Sequence, residues 1–277
     1  MSHTNLITLD ELKIANNVKI LDCRAALGDR EHGQRVFAEG HIPGSSYLSL
    51  DDDLAAPAGE GGRHPLPVAE ALASRLRELG ISNNSQVVVY DDAGGAFAAR
   101  AWWCIRWLGH AAVAVLDGGI AVWDGELESA TKPHPRGDFT IRTALTRTTD
   151  VDQLSAGLNA FRLIDARSQP RFAGIEEPID PVAGHIPGAS CLPFQGNLGT
   201  DGRFLSAVQL KARFSQFEDA DLVCYCGSGV TAAHNILALK VAGFPEPALY
   251  PGSWSEWIRD PDRPIAVGDP AGEPEGE

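Results

Sequence analysis

The chain has 277 residues, enough for two domains of roughly 100–150 residues each. With 44% hydrophobic and 22% charged residues it has an ordinary globular composition, and no run approaches the ~18 apolar residues of a membrane-spanning helix. A net charge of −14 argues against nucleic acid as a main partner, because phosphate neutralisation needs Lys/Arg-rich surfaces; a few local arginines can still hold a small anion.

In chain order, Met1-Ser2-His3-Thr4-Asn5 lacks the basic-then-apolar pattern of a secretory signal, so a cytoplasmic location is the expectation. Short apolar runs ending in polar residues at 18–21, 87–90 and 113–116 predict buried parallel strands. Between them, 68–79 has helical spacing, with Pro67 near its start and Gly80 at its stop. A second helix is expected over 98–108, closed by Gly109. The stretch 128–148 contains Lys132-Pro133-His134-Pro135-Arg136-Gly137 and reads as an extended linker. Strands then follow at 162–164, 221–225 and 248–249, with helices near 207–214 and 231–241, the last closed by Gly243. The tail after Pro264 is acidic and rich in Gly and Pro, so poor order is expected near Glu277.

The chain is also written twice. Ile20-Leu21-Asp22-Cys23-Arg24 reappears as Leu163-Ile164-Asp165-Ala166-Arg167, and Gly40-His41-Ile42-Pro43-Gly44 reappears unchanged at 184–188. Val87-Val88-Val89-Tyr90-Asp91 matches Leu222-Val223-Cys224-Tyr225-Cys226, and Leu116-Asp117-Gly118-Gly119 before Trp123 matches Tyr250-Pro251-Gly252-Ser253 before Trp257. Landmarks repeated in one order mean two homologous domains. Each is an α/β unit with a mostly parallel sheet flanked by helices, over 1–128 and 148–277, joined by a linker at 129–147.

Five cysteines, an odd and sparse set, do not form a disulfide framework, and none has zinc spacing. Cys226 stands out because it ends a strand and opens the tight loop Cys226-Gly227-Ser228-Gly229-Val230-Thr231 before a helix. Such a turn aims backbone N–H groups and a helix's positive end at one point, which stabilises an anionic sulfur. Gly227 and Gly229 allow the backbone to curl, and Thr231 is expected to cap the helix. Ser228 is read two ways: as a loop cap, or as a hydroxyl that binds substrate or relays a proton. Asp91, the first domain's counterpart of Cys226, carries a carboxylate where the second domain has a thiol. Arg24, Arg167, His41 and His185 recur in both copies and read as structural, and Cys224 as a core thiol.

Two copies of Asp-x-Arg and Gly-His-Ile-Pro-Gly, with strand–Cys–loop–helix only in the second, resemble the tandem-domain rhodanese sulfurtransferases across roughly residues 5–262. The resemblance implies an inactive first domain, a catalytic second domain and a site between them. It also implies ping-pong transfer of sulfane sulfur through a Cys226 persulfide to a thiophilic acceptor such as cyanide, a thiol or a thioredoxin-like protein, with no cofactor. The uncharged Gly227 and Ser228 are similar to the loop of the 3-mercaptopyruvate sulfurtransferases rather than the thiosulfate-preferring members, which carry basic residues there. Arg171 matches an arginine that binds the donor's anionic group, and Val230 and Thr231 lie in the same binding loop. Asp51 and His64 resemble an acid–histidine pair supplied by the first domain, although the Asp51-Asp52-Asp53 run leaves the acid open, and Arg63 beside His64 reads equally as an anion ligand. The second arginine that mercaptopyruvate-type members carry is missing from 174–181, which keeps thiosulfate as the alternative donor and a non-enzymatic persulfide carrier as a rival. A phosphatase would need an arginine at the sixth position after the cysteine, which is Ala232 here. A serine hydrolase lacks support because Gly227-Ser228-Gly229 is not a nucleophile elbow.

Overall fold

A computed structural model describes residues 2–268 except 132 and 219. Most of the tail, including Glu277, lies outside the described residues. The first half contains strands β1 (Leu6–Ile7), β2 (Val18–Asp22), β3 (Ser45–Tyr47), β4 (Gln86–Tyr90) and β5 (Val113–Leu116), with helices α1 (Leu9–Ile14), α2 (His32–Glu39), α3 (Ala69–Glu78) and α4 (Ala98–Trp107). The second contains β6 (Arg147–Thr148), β7 (Arg162–Asp165), β8 (Ser190–Cys191), β9 (Leu222–Tyr225) and β10 (Ala248–Leu249), with α5 (Val151–Ala156), α6 (Gln169–Phe172), α7 (Ala207–Arg213), α8 (Thr231–Val241) and α9 (Ser253–Trp257). Among the described residues both sheets are wholly parallel, in the orders β1-β5-β4-β2-β3 and β6-β10-β9-β7-β8, which are the same permutation.

The predicted strands are the inner members of these sheets. The four that periodicity did not reveal, β1, β3, β6 and β8, are edge strands of two or three residues, too short for any repeat to register. Central strands β4 and β9 are buried along their whole length because helices cover both faces, which explains their unbroken apolar runs.

The repeated motifs act as matched braces. Arg24 and Arg167 fold back onto Asp22 and Asp165, with Nη2–Oδ2 distances of 2.7 and 2.6 Å, and both pairs are buried. His41 and His185 bond the carbonyls of Phe37 and Phe172, each at 2.8 Å, and stack on those same rings. Tyr90 and Tyr225 present their hydroxyls to the N–H groups of Ile42 and Ile186, each at 3.2 Å. The structural reading of these repeated side chains holds. Cys224 is fully buried, and burial pushes its thiol far up.

Helices α4 and α8 join the halves. Each is buried around nearly its whole circumference because it packs on its own sheet and on the other helix. One apolar cluster therefore runs through both halves, from Trp102 and Trp103 to Ile236 and Leu237. The 128–148 stretch is extended but strapped to the first half: Gly137 N–H donates to Arg77 O at 2.8 Å, Arg142 N–H to Leu108 O at 2.9 Å, and Phe139 is buried.

Arg100 on α4 is the principal polar bolt. Its guanidinium is fully buried and donates to four carbonyls: Gly229 of the second half at 3.1 Å, and Leu54, His64 and Pro65 of the first at 3.1–3.3 Å. The sequence reading did not single out this residue, although an arginine near the start of the largely apolar segment 98–107, which also holds Arg106, was the available signal. Arg100→Met strands the Leu54, His64 and Gly229 carbonyls in a buried interface, while Pro65 O keeps the Ala56 N–H at 3.0 Å. It is expected to destabilise the protein by about 3–5 kcal/mol, and Arg100→Lys to recover only part of that, measured by urea unfolding.

Candidate active site

Parallel sheets place functional groups outside the carboxyl ends of strands, where connections leave in opposite directions. In the second sheet that point lies between β7 and β9, and a cavity of about 320 Å³ opens there. Cys226 lines it, directly after β9, and is 2% exposed. Arg63, Ala93, Ala96 and Phe97 of the first half close the opposite side.

Local bonds explain the loop. Cys226 N–H donates to Ser253 Oγ at 3.1 Å, Trp254 N–H to Cys226 O at 3.0 Å, and Ser255 N–H to Gly227 O at 2.9 Å. Gly229 has φ +75°, and any Cβ there would run into the Pro251 carbonyl oxygen. Ser228 N–H donates to Cys226 Sγ at 3.5 Å. The expected Thr231 cap is not formed: α8 starts at Thr231 itself, and Val230 holds the N-cap position with no side-chain bond. The helix starts where expected, but Thr231 is its first residue, so the Thr231 side chain lies past the position from which it could cap.

The first half contains the same turn with an anion already in it. Asp91 is fully buried and accepts from the N–H groups of Ala93, Gly95, Phe97 and Ala98 at 2.8–2.9 Å. Burial pushes this carboxyl up and the four donors hold it down. A ring of donors with no acceptor fits the ionised form, so this strand–loop–helix turn can cradle a negative charge.

Three of the expected residues meet across the domain boundary. His64 Nδ1 lies 2.7 Å from Ser228 Oγ, and His64 Nε2 lies 3.5 Å from Asp51 Oδ1. The choice among the three aspartates is thereby made: Asp52 pairs with Arg30, and Asp53 accepts from Ser49 N–H at 2.8 Å and faces Arg75. Burial, with the Arg100 and Arg63 guanidiniums nearby, pushes His64 down to about 4, so the ring is neutral at pH 7. A neutral ring whose Nε2–H points at Asp51 accepts the Ser228 hydroxyl proton at Nδ1.

Arginines from both halves border Gly227. A Cβ on Gly227 would lie 2.7 Å from Arg63 Nη2 and 3.4 Å from Arg171 Nη2. No arginine lies in 174–181, but Arg63 of the first half stands beside Arg171 at Gly227. Asp180 and Glu177, which sequence reasoning passed over, hold these groups. Asp180 pairs with Arg63 through Nη1 and with Arg171 Nη2 at 3.2 Å, while Glu177 takes Arg171 Nε at 3.0 Å through both oxygens.

With this geometry in hand, the comparisons decide the family. The rhodanese-like domain family matches residues 7–126 and 150–260. This chain belongs to the rhodanese-like family. It is 50% identical to a Pseudomonas aeruginosa protein named "Probable 3-mercaptopyruvate sulfurtransferase", over 97% of this chain and 100% of that one. It is 32% identical to the thiosulfate sulfurtransferase of Rattus norvegicus, over 89% and 87% of the two chains. The solved 3-mercaptopyruvate sulfurtransferase of Leishmania major superposes with a TM-score of 0.81 at 31% identity, covering 93% of this chain and 76% of that one.

The depressed His64 gives a pH signature. Its folded value of about 4 lies below the ~6.5 of an unfolded histidine, so the unfolded chain takes up the proton first as pH falls. Stability held above pH ~6.5 is therefore lost as pH drops towards about 4. His64→Gln should flatten the pH dependence of the urea-unfolding free energy in that window by at most ~1.4 kcal/mol per pH unit.

Proposed function

We propose that this enzyme is a sulfurtransferase that moves a sulfur atom from 3-mercaptopyruvate through a Cys226 persulfide to a thiophilic acceptor. The observation that carries the reading is a cleft holding Cys226, two guanidiniums and the Ser228–His64–Asp51 chain together. Relatives named as 3-mercaptopyruvate and thiosulfate sulfurtransferases support the class.

The donor's carboxylate binds the edges of Arg63 and Arg171 that face Gly227, where planar guanidiniums offer paired donors. That places its thiol over Cys226. The Cys226 thiolate attacks the donor sulfur while Ser228 Oγ accepts the S–H proton and passes its own to His64 Nδ1. Asp51, beside Nε2, stabilises the imidazolium that forms. The carbon–sulfur bond breaks, its electron pair goes to carbon as an enolate, and the relay returns the proton to that carbon to give pyruvate. Cys226 is left carrying an anionic terminal sulfur, which the Ser228 N–H and the rest of the loop surround as four amides surround Asp91. Gly227, Gly229, Val230 and Thr231 shape this cradle. The acceptor (cyanide, a small thiol or a thioredoxin-like protein) attacks the terminal sulfur, and the electron pair of the sulfur–sulfur bond returns to Cys226.

Thiosulfate is the second reading. It needs no proton relay, because sulfite leaves as a stable anion. A basic residue at position 227 would suit that donor, but it would stand against Arg63 and Arg171, and this favours mercaptopyruvate. The two donors therefore separate the roles. Ser228→Ala should lower kcat/KM for 3-mercaptopyruvate about 100-fold or more and leave thiosulfate within about threefold. Cys226→Ser should end transfer from both donors and prevent the mass gain of one sulfur atom after donor treatment. Transfer from neither donor by the intact protein would overturn the enzyme reading in favour of a carrier.

A further inference from the structure

The cleft's charge balance singles out Asp180. Its carboxyl is 4% exposed and lies between two arginines that come from different halves of the chain. It holds Arg63 through Nη1 and Arg171 through Nη2, while Arg63 Nη2 and the Arg171 terminal nitrogens border Gly227. Arg171 has a second anchor in Glu177, and Glu177 also takes Arg167 at 3.2 Å. Arg167 is further paired with Asp165. Three guanidiniums, of Arg63, Arg167 and Arg171, thus meet three carboxylates, of Asp165, Glu177 and Asp180. The cluster is neutral as a whole, although its face toward Cys226 is made of N–H donors.

We propose that Asp180 determines donor specificity by aligning Arg63 with Arg171 for one planar carboxylate and cancelling one unit of their charge, which disfavours a dianion. This deepens the sulfurtransferase reading and rests on it. Coulomb energy scales with the charge of the incoming ion, so removing one negative charge helps a dianion twice as much in free energy as a monoanion. A fivefold gain for the monoanion would become about twenty-five-fold for the dianion. Loss of alignment acts in the same direction, because two parallel donors matter most to a planar carboxylate.

The test uses probes that do not transfer sulfur: pyruvate as the monocarboxylate and sulfate as the dianion. Each is titrated for its protection of Cys226 from iodoacetamide, in the intact protein and in Asp180→Asn, Asp180→Ser and Asp180→Glu variants whose thermal midpoints show them folded. The ratio of sulfate to pyruvate affinity should rise about fivefold in the two neutral variants and stay near its original value in Asp180→Glu. With turnover, the thiosulfate to 3-mercaptopyruvate ratio of kcat/KM should move the same way. An unmoved or falling ratio in the neutral variants, or an equal rise in Asp180→Glu, overturns the proposal. Should neither neutral variant fold, Arg63→Gln serves instead: it removes a positive charge and should lower the ratio, and a rise would overturn the proposal. A lack of sulfur transfer by the intact protein would sink the sulfurtransferase reading while leaving this binding ratio measurable.

Discussion

A buried cation satisfied only by carbonyls sits at the centre of this molecule. Arg100 leaves α4, crosses the boundary between the halves and binds Gly229 in the cysteine loop, together with three carbonyls of the 54–65 segment. Desolvating a guanidinium is costly, and only a full set of acceptors makes it tolerable. That requirement locks two distant segments to one another. One carries Cys226 and Ser228; the other carries His64 and Arg63. The same charge helps keep His64 unprotonated, so one side chain bears on both the placement and the protonation state of His64.

The internal repeat turns the chain into its own control. Both halves build a parallel sheet, an Asp–Arg brace, a histidine stacked on a phenylalanine and a strand–loop–helix turn. In the first half the turn is filled by the Asp91 carboxylate, which consumes its N–H donors internally. In the second a sulfur stands at the mouth of the turn, and the cavity beside it is open. One backbone geometry holds a buried carboxyl group in one copy and a cysteine beside an open cavity in the other. The first half also brings His64, Asp51 and Arg63 to the cleft.

Charge in the cleft is balanced locally although the chain as a whole is strongly acidic. Carboxylates from 165, 177 and 180 hold the arginines in place, so the groups that face the cysteine are pre-set rather than free to wander. Orientation of this kind lets a small cavity discriminate ions by shape and charge with few contacts.

Much of this was legible in the sequence. The repeat, the parallel α/β class, the inner strands, the longer helices and Cys226 as the odd member of a matched pair all followed from local patterns, because burial imposes periodicity and a tight turn demands glycine. Edge strands were not legible, since two or three residues carry no period, and the Thr231 cap is absent because Thr231 is itself the first helical residue. Tertiary structure alone decided which of three adjacent aspartates faces His64, that Arg63 stands beside Arg171, and that Asp180 and Arg100 bridge the two halves. Those relations join residues far apart in the chain through charges, and a charge leaves no periodic trace of the partner it will meet.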